Sequence, residues 1–256
     1  MAHRMSGLIY RFYERRLMRE VSAGELPRHV AVIMDGNRRY ASEAGLDKRD
    51  GHALGKEKII EMLGWCLELK IRCVTAFAFS TENLQRAEEE VRYIMGLSES
   101  GLREVASDQA VRDNKVRIRV IGDRSSLPES VKEAAEHAEE ATKSNDGYVF
   151  NIAMGYGGRR EIIDAVKEVA AKVRDGEMSI DDITEDRFSS HLYTGGLPDP
   201  DLVLRTSGEV RVSNFLMWQI AYSELYFTDV FWPEFRKLDF LRAIRSYQQR
   251  RRRYGR

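Results

Sequence analysis

The stretch "HVAVIMDGNRRYA", residues 29–41, is an apolar run that stops on one aspartate and continues as glycine, amide and two arginines. An uninterrupted apolar run of this length suits a strand covered on both faces, because a half-exposed strand would alternate. The same signal recurs downstream. Candidate strands at 29–34, 74–80, 116–121, 148–153, 202–205 and 225–230 alternate with helical patterns over 52–70, 88–110, 128–143, 159–174 and 237–253. Apolar strands alternating with helices predict an α/β fold: a mainly parallel central sheet flanked by helices on both faces.

The 256 residues carry 41 basic and 41 acidic side chains, so net charge gives no footprint for nucleic acid and any charge-based function must be local. The two cysteines, Cys66 and Cys73, have no histidines at metal-ligand spacing, which argues against a zinc site or a disulfide framework and suits a reducing cytoplasm. No signal-peptide pattern or membrane-spanning run is expected. Residues 1–26 read as a basic amphipathic helix: Leu8, Ile9, Phe12, Tyr13, Leu17, Met18 and Val21 recur at helical spacing with Arg11, Arg15, Arg16 and Arg19 between them. Such a helix packs on its own domain or a partner, or lies peripherally on an anionic membrane surface. No repeat or linker divides 27–256, which reads as one domain.

Ligands of parallel sheets gather beyond the carboxyl ends of strands. Here those ends read "MDGNRR", "FSTENLQR", "MGYGGRRE" and "LRTSGEVRVSN". They supply Asp35, Asn37, Arg38, Arg39, Ser80, Asn83, Arg86, Arg159, Arg205, Ser207, Arg211 and Ser213. One carboxylate among many guanidiniums and hydroxyls suits phosphate held together with a divalent cation. Gly36 would admit a ligand close to the backbone. Other phosphate motifs fail. Arg160 breaks the third glycine of a dinucleotide fingerprint, and no P-loop, hydrolase elbow or Ser-His-Asp arrangement stands out. The terminal "QQRRRRYGR" alone reads as a solvated tail.

"HVAVIMDGNRRYA", Gly51-His52, "FAFSTENLQR", "RVIGD", "NIAMGYGGRREI", "DLVLRTSGEVRVSNFLMWQIAYSELYFTDVFWPEF" and the final "RRYG" together resemble the cis-prenyltransferases, the undecaprenyl and dehydrodolichyl diphosphate synthases. The resemblance runs in order from about Pro27 to the end, and its wording is closer to the archaeal and eukaryotic branch. It implies Mg2+-dependent condensation of isopentenyl diphosphate onto an allylic diphosphate (geranylgeranyl, farnesyl or dimethylallyl), with a cis double bond made in each cycle. A medium- to long-chain polyprenyl diphosphate, precursor of a glycosyl-carrier lipid, is the implied product.

The resemblance also implies roles. Asp35 is the expected magnesium ligand and Glu224 a second metal-associated carboxylate. Gly36, Asn37, Arg38, Arg39, Tyr40, Lys48, His52, Thr81, Glu82, Leu84 and Arg86 fall on the allylic diphosphate side. Lys48 stands where the family usually has arginine, with Arg49 as a neighbouring substitute. Arg205, Arg211, Val212, Ser213, Arg253 and Gly255 fall on the isopentenyl diphosphate side. Asn83 and Ser80 occupy the place of proton removal, where a neutral amide better orients a proton acceptor than serves as one. Leu84 and Val210 depart from the tryptophan and histidine common in bacterial members. Ala78, Val116, Tyr148, Phe150, Met95 and Leu102 lie on apolar faces that either frame a tunnel for the prenyl chain or pack as ordinary core. The large Tyr148 and Met154 would shorten such a tunnel.

The aromatic-rich residues 213–235 suit either an interface or a dense core, and the resemblance implies a homodimer in which Arg253 to Gly255 reach the partner's site. Three other functions compete. A trans-prenyltransferase would need an all-helical fold, and "DDITED" at 181–186 reads instead as a capped helix start. A noncatalytic accessory subunit need not keep Asp35. A cis-prenyltransferase with an acceptor other than isopentenyl diphosphate fits the same motifs.

Overall fold

Six apolar segments become strands in the computed structural model, which describes residues 2–251 and the side chains of 10–250. They are β1 (His29–Ile33), β2 (Cys73–Ser80), β3 (Val116–Ile121), β4 (Tyr148–Tyr156), β5 (Leu202–Arg205) and β6 (Glu224–Phe227). All pair in parallel, in the order β3-β4-β2-β1-β5-β6. β1 therefore lies between the strand that follows it and one far along the chain. That reversal leaves a crevice beyond the carboxyl ends of β1, β2 and β5.

The helices among the described residues are α1 (Ala2–Ser22), α2 (Asn37–Glu43), α3 (Lys48–Glu68), α4 (Glu88–Ser107), α5 (Gln109–Asp113), α6 (Glu129–Thr142), α7 (Gly158–Arg174), α8 (Glu185–Ser189) and α9 (Lys237–Arg251). Local chemistry explains where they depart from the sequence reading. α3 starts earlier than residue 52 because Asp47 and Asp50 form a reciprocal capping box. The expected helix over 88–110 breaks at Asp108, whose carboxylate accepts from the N–H groups of Ala110 and Val111 and starts α5. The acidic 181–186 segment is a capped entry, with the Thr184 hydroxyl accepting from Arg187 N.

Strand alternation divides the core. One face buries Val30, Val32, Val74 and Ala76 in a large cluster with Met62, Leu63, Leu102, Phe240 and Leu241. The other buries Ala31, Ile33, Ala153 and Val203 beneath Phe215 and Leu216. On that second face a polar line crosses three strands: His29 Nε2 lies 2.8 Å from Thr75 Oγ1, which accepts from Asn151 Nδ2 at 2.9 Å. α1 packs on α9 through Leu17 and Val21, while Phe12, expected on its apolar face, is 67% exposed. Leu8 and Ile9 lie outside the described side chains.

α2 docks closely on α3 because two glycines one turn apart face it. A Cβ on Gly51 would meet the Asn37 carbonyl oxygen at 2.3 Å, and one on Gly55 would meet Asn37 Oδ1 at 2.5 Å. The first turn of α2 is thereby set against the end of β1.

Candidate active site

Asp35 follows β1 and is anchored at its backbone before its side chain does anything. Its N–H donates to Thr206 Oγ1 at 3.0 Å, its carbonyl accepts from the same hydroxyl at 2.7 Å, and it also accepts from Trp232 N at 3.0 Å. The carboxylate accepts from Arg205 Nη2 at 2.8 Å and Gly36 N at 2.7 Å, with Arg39 Nη2 at 3.2 Å. Burial alone would raise the Asp35 carboxyl. The hydrogen bond and charge of Arg205, helped by Arg39 and Gly36, outweigh it and hold the group below the usual carboxylate range. Gly36 adopts a φ of 102°, and a Cβ there would lie 2.7 Å from the Phe231 ring, so both conformation and space demand glycine.

Two clusters flank Asp35. From β5, the buried Arg205 donates to Arg211 O at 2.5 Å and Ser213 Oγ at 2.7 Å, so the arginine that holds Asp35 also shapes the following loop. On the other side Glu90, from α4, gathers two arginines and a histidine. Arg86 Nη1 donates to it at 3.0 Å, His52 Nε2 lies at 3.2 Å and Arg38 Nη1 at 3.7 Å. Burial favours neutral His52 and lowers its pKa against the pull of Glu90. The charges of Arg86 and Arg38 overcome burial to keep Glu90 ionised.

Asn83 and Ser80 form a reciprocal pair at the end of β2: Asn83 Oδ1 accepts from Ser80 N at 3.1 Å, and Ser80 Oγ accepts from Asn83 N at 3.2 Å. The side-chain oxygen of Asn83 is thus committed to the backbone. What it offers a ligand is its amide donors, which suits orientation and not proton abstraction.

The polar mouth is lined by Asp35, Gly36, Asn37, Arg38, Arg39, His52, Ser80, Asn83, Arg86, Arg205, Arg211 and Ser213, with Glu209. An apolar cavity of about 140 Å³ adjoins it, bounded by Ile59, Leu97, Leu102, Val105, Phe150 and Ile152 among others. Met34, Asn37, His52, Ala78 and Ile94 line both spaces. The arrangement fits a molecule with an anionic head and a long apolar tail.

Not every expected residue arrives there. Lys48 and Leu84 are exposed and Tyr40, Thr81, Glu82 and Val212 lie outside the mouth's lining. Arg49 is ion-paired with Glu89, and Glu82 accepts from Asn214 Nδ2 at 3.1 Å. Arg159 is exposed outside the mouth, its N–H donating to Asn214 Oδ1. Glu224 opens β6 level with Leu202 and Val30, paired with Arg250 at 3.3 Å, whereas Asp35 lies past the other end of β1. One chain therefore does not bring the two expected metal carboxylates together. Arg253 and Gly255 lie outside the described residues.

Of the expected tunnel residues, Ala78, Met154, Phe150 and Leu102 line the cavity. Tyr148, Val116 and Met95 do not. β4 residues alternate faces, so Phe150, Ile152 and Met154 share the cavity face, and Tyr148 lies one pleat beyond Phe150 beside Val116. Glu90 and Glu209 are the functional candidates that the sequence reading missed. Glu90 is the third of three consecutive glutamates, and Glu209 lies inside "RTSGEVR" with no distinguishing neighbour.

Comparison with known proteins agrees with this geometry. The family model described as "Putative undecaprenyl diphosphate synthase" matches residues 33–255. A Thermoplasma acidophilum protein is 49% identical over 100% of this chain and 99% of its own length, and one from Pyrococcus abyssi is 53% identical over 96% and 94%. Both are named tritrans,polycis-undecaprenyl-diphosphate synthase (geranylgeranyl-diphosphate specific). Among solved structures, lavandulyl diphosphate synthase from Lavandula x intermedia, in complex with dimethylallyl diphosphate, superposes with a TM-score of 0.82 at 36% identity, covering 90% of this chain and 96% of that one. The chain belongs to the undecaprenyl diphosphate synthase family of cis-prenyltransferases.

Proposed function

We propose that the protein elongates an allylic prenyl diphosphate with isopentenyl diphosphate, forming cis double bonds. The observation that carries this reading is the shared wall between the cationic mouth and the apolar cavity. Diphosphate would sit in the mouth while the hydrocarbon threads between Ala78, Ile94 and Met154.

Magnesium fits the donor set. Asp35 offers one ionised carboxylate, and no three metal-binding side chains converge among the described residues. The remaining ligands would be phosphate oxygens and water, which is how magnesium commonly binds. When bound, it supplies Lewis-acid stabilisation of the departing diphosphate. Arg38, Arg39 and Arg86 neutralise charge that grows on that diphosphate as the allylic bond breaks. Arg211, Ser213 and Arg205 hold the second diphosphate, and Asn83 orients the group that receives the proton released as the new double bond forms.

The names of the Thermoplasma and Pyrococcus relatives support geranylgeranyl diphosphate as primer and an undecaprenyl-length product. A homodimer is part of the same proposal. It is supported by apolar surface left open on this chain, with Tyr222 94% exposed and Ile163 and Met217 exposed as well. Peripheral membrane association is supported by the arginines on the open side of α1, while no described helix is long and apolar enough to cross a membrane.

The test is incubation with Mg2+, radiolabelled isopentenyl diphosphate and each of dimethylallyl, farnesyl and geranylgeranyl diphosphate, with products resolved by length and double-bond geometry. Cis-elongated products that disappear in Asp35→Ala are expected. Trans products, or elongation that survives Asp35→Ala, would overturn the reading.

A further inference from the structure

Glu209 stands between one guanidinium from each half of the mouth. Its Oε1 accepts from Arg39 Nη1 at 3.1 Å, and its Oε2 accepts from Arg211 Nη1 at 2.5 Å. Arg39 belongs to α2, which follows β1, and Arg211 to the loop after β5, so this carboxylate physically joins the two proposed diphosphate subsites. The turn that carries it is fixed. Ser207 and Gly208 have φ values of 76° and 74°, and their N–H groups donate to Val230 O at 2.9 Å and Thr228 O at 2.8 Å. Arg39 also donates to the Ser207 hydroxyl, which sets the guanidinium against the same turn.

The contact is well placed and weak. Glu209, Arg39 and Arg211 keep 30%, 44% and 60% of their side-chain surface, so solvent screens both ion pairs. A diphosphate carries more charge than a carboxylate and takes arginine forks bidentately, so it outcompetes Glu209 for either arginine. Both oxygens belong to one rigid planar group. A bound diphosphate repels that group, and swinging it away from one arginine also breaks its bond to the other.

We propose that Glu209 is a positioning residue acting as a displaceable latch: it keeps Arg39 and Arg211 ordered and neutralised in the empty mouth, and the first diphosphate to bind releases both. The first substrate bears the cost of opening the latch, and the second meets a freed arginine. Binding of the two substrates is therefore positively coupled. This inference rests on the assignment of two diphosphate subsites made above.

Calorimetry with inorganic diphosphate and Mg2+ on the full chain tests it, alongside a two-substrate kinetic matrix, for wild type, Glu209→Gln and Glu209→Asp. Glu209→Gln should bind inorganic diphosphate about three- to tenfold more tightly, the scale expected for removing an exposed ionic competitor. Its KM for isopentenyl diphosphate should no longer depend on the concentration of allylic diphosphate. Glu209→Asp, which keeps the charge but is too short to span both arginines, should fall between. If wild type binds diphosphate and Glu209→Gln binds it equally or more weakly, the latch is wrong and the subsites stand. If wild type binds no diphosphate, the subsites and the latch fail together.

Discussion

Arg205 and Asp35 meet at 2.8 Å across the ends of adjacent strands, and the arginine brings this bond from a position only 4% exposed. Its other arm reaches the Arg211 carbonyl and the Ser213 hydroxyl, so a single buried guanidinium ties the carboxylate of one half of the mouth to the loop of the other. The bond is available only because β1 and β5 are parallel neighbours, with Ile33 beside Arg205.

Arg205→Gln should therefore do two things. Loss of charged donors around the reacting diphosphates should lower kcat by about 10²- to 10³-fold. With the guanidinium gone, only Arg39 and Gly36 N–H oppose burial and the Asp35 carboxyl rises, so the acid limb of the pH–kcat/KM profile should move to higher pH. Steady-state rates from pH 5 to 8 check both, and an unmoved acid limb would detach Asp35 ionisation from Arg205.

Product length should answer to Ala78 and not to Tyr148. Ala78 lines both the mouth and the cavity, so Ala78→Leu narrows the passage of the growing chain and should shorten the products. Tyr148 lies one pleat beyond Phe150, outside the cavity, with its ring beneath Arg72 at 5.8 Å. Tyr148→Ala should leave the length distribution unchanged. Chromatography of dephosphorylated products measures the two variants side by side.

The contrast between Ala78 and Tyr148 shows what could be read in the sequence. Apolar strands that end in Asp35, Ser80 and Arg205 announce a parallel sheet and its ligand-binding edge, because burial on both faces and polarity at one end are local properties. Which apolar residue bounds a cavity depends on how far the cavity runs along β4, where Phe150 lines it and Tyr148 does not, a tertiary matter of one pleat. The same holds for charge. Glu88, Glu89 and Glu90 are indistinguishable in a row, and only the phase of α4 turns Glu90 toward His52 and Arg86. Glu224 shared its motif with Arg205 and Arg211, yet strand register carries it to the opposite end of the sheet.

His29 should make the fold acid-sensitive well above the carboxylate range. The ring is fully buried between Thr75 and the Pro198 carbonyl, and burial lowers its pKa to about 4. Between pH 6.5 and about 4 the unfolded chain binds a proton that the native one refuses, so stability falls as pH drops through that window. The full effect is about 3 kcal/mol, since one pKa unit corresponds to about 1.4 kcal/mol. Urea denaturation at pH 7.0, 5.5 and 4.5 should show that slope in wild type and a reduced slope in His29→Gln. Equal slopes would remove His29 as the cause.

Gly55, which lines the apolar cavity, should matter to catalysis chiefly through the neighbour it holds in place, Asn37. A Cβ there would lie 2.5 Å from Asn37 Oδ1, and α3 cannot retreat freely because the Gly55 carbonyl accepts from Trp232 Nε1 at 2.8 Å in the core. The added methyl therefore pushes the Asn37 side chain, which lines both the mouth and the cavity, out of place. Gly55→Ala should raise KM for the allylic diphosphate about tenfold and cost about 1–3 kcal/mol in stability, the usual range for overpacking. Gly64, on the same helix with nothing within 4 Å of its virtual Cβ, is the control. Gly64→Ala should gain up to about 1 kcal/mol of stability from helix propensity and leave KM unchanged. Thermal melts and steady-state kinetics on the pair separate a site effect from a helix effect. A parallel rise in stability with normal KM in Gly55→Ala would show that the Asn37 side chain accommodates the methyl without loss of its role at the mouth.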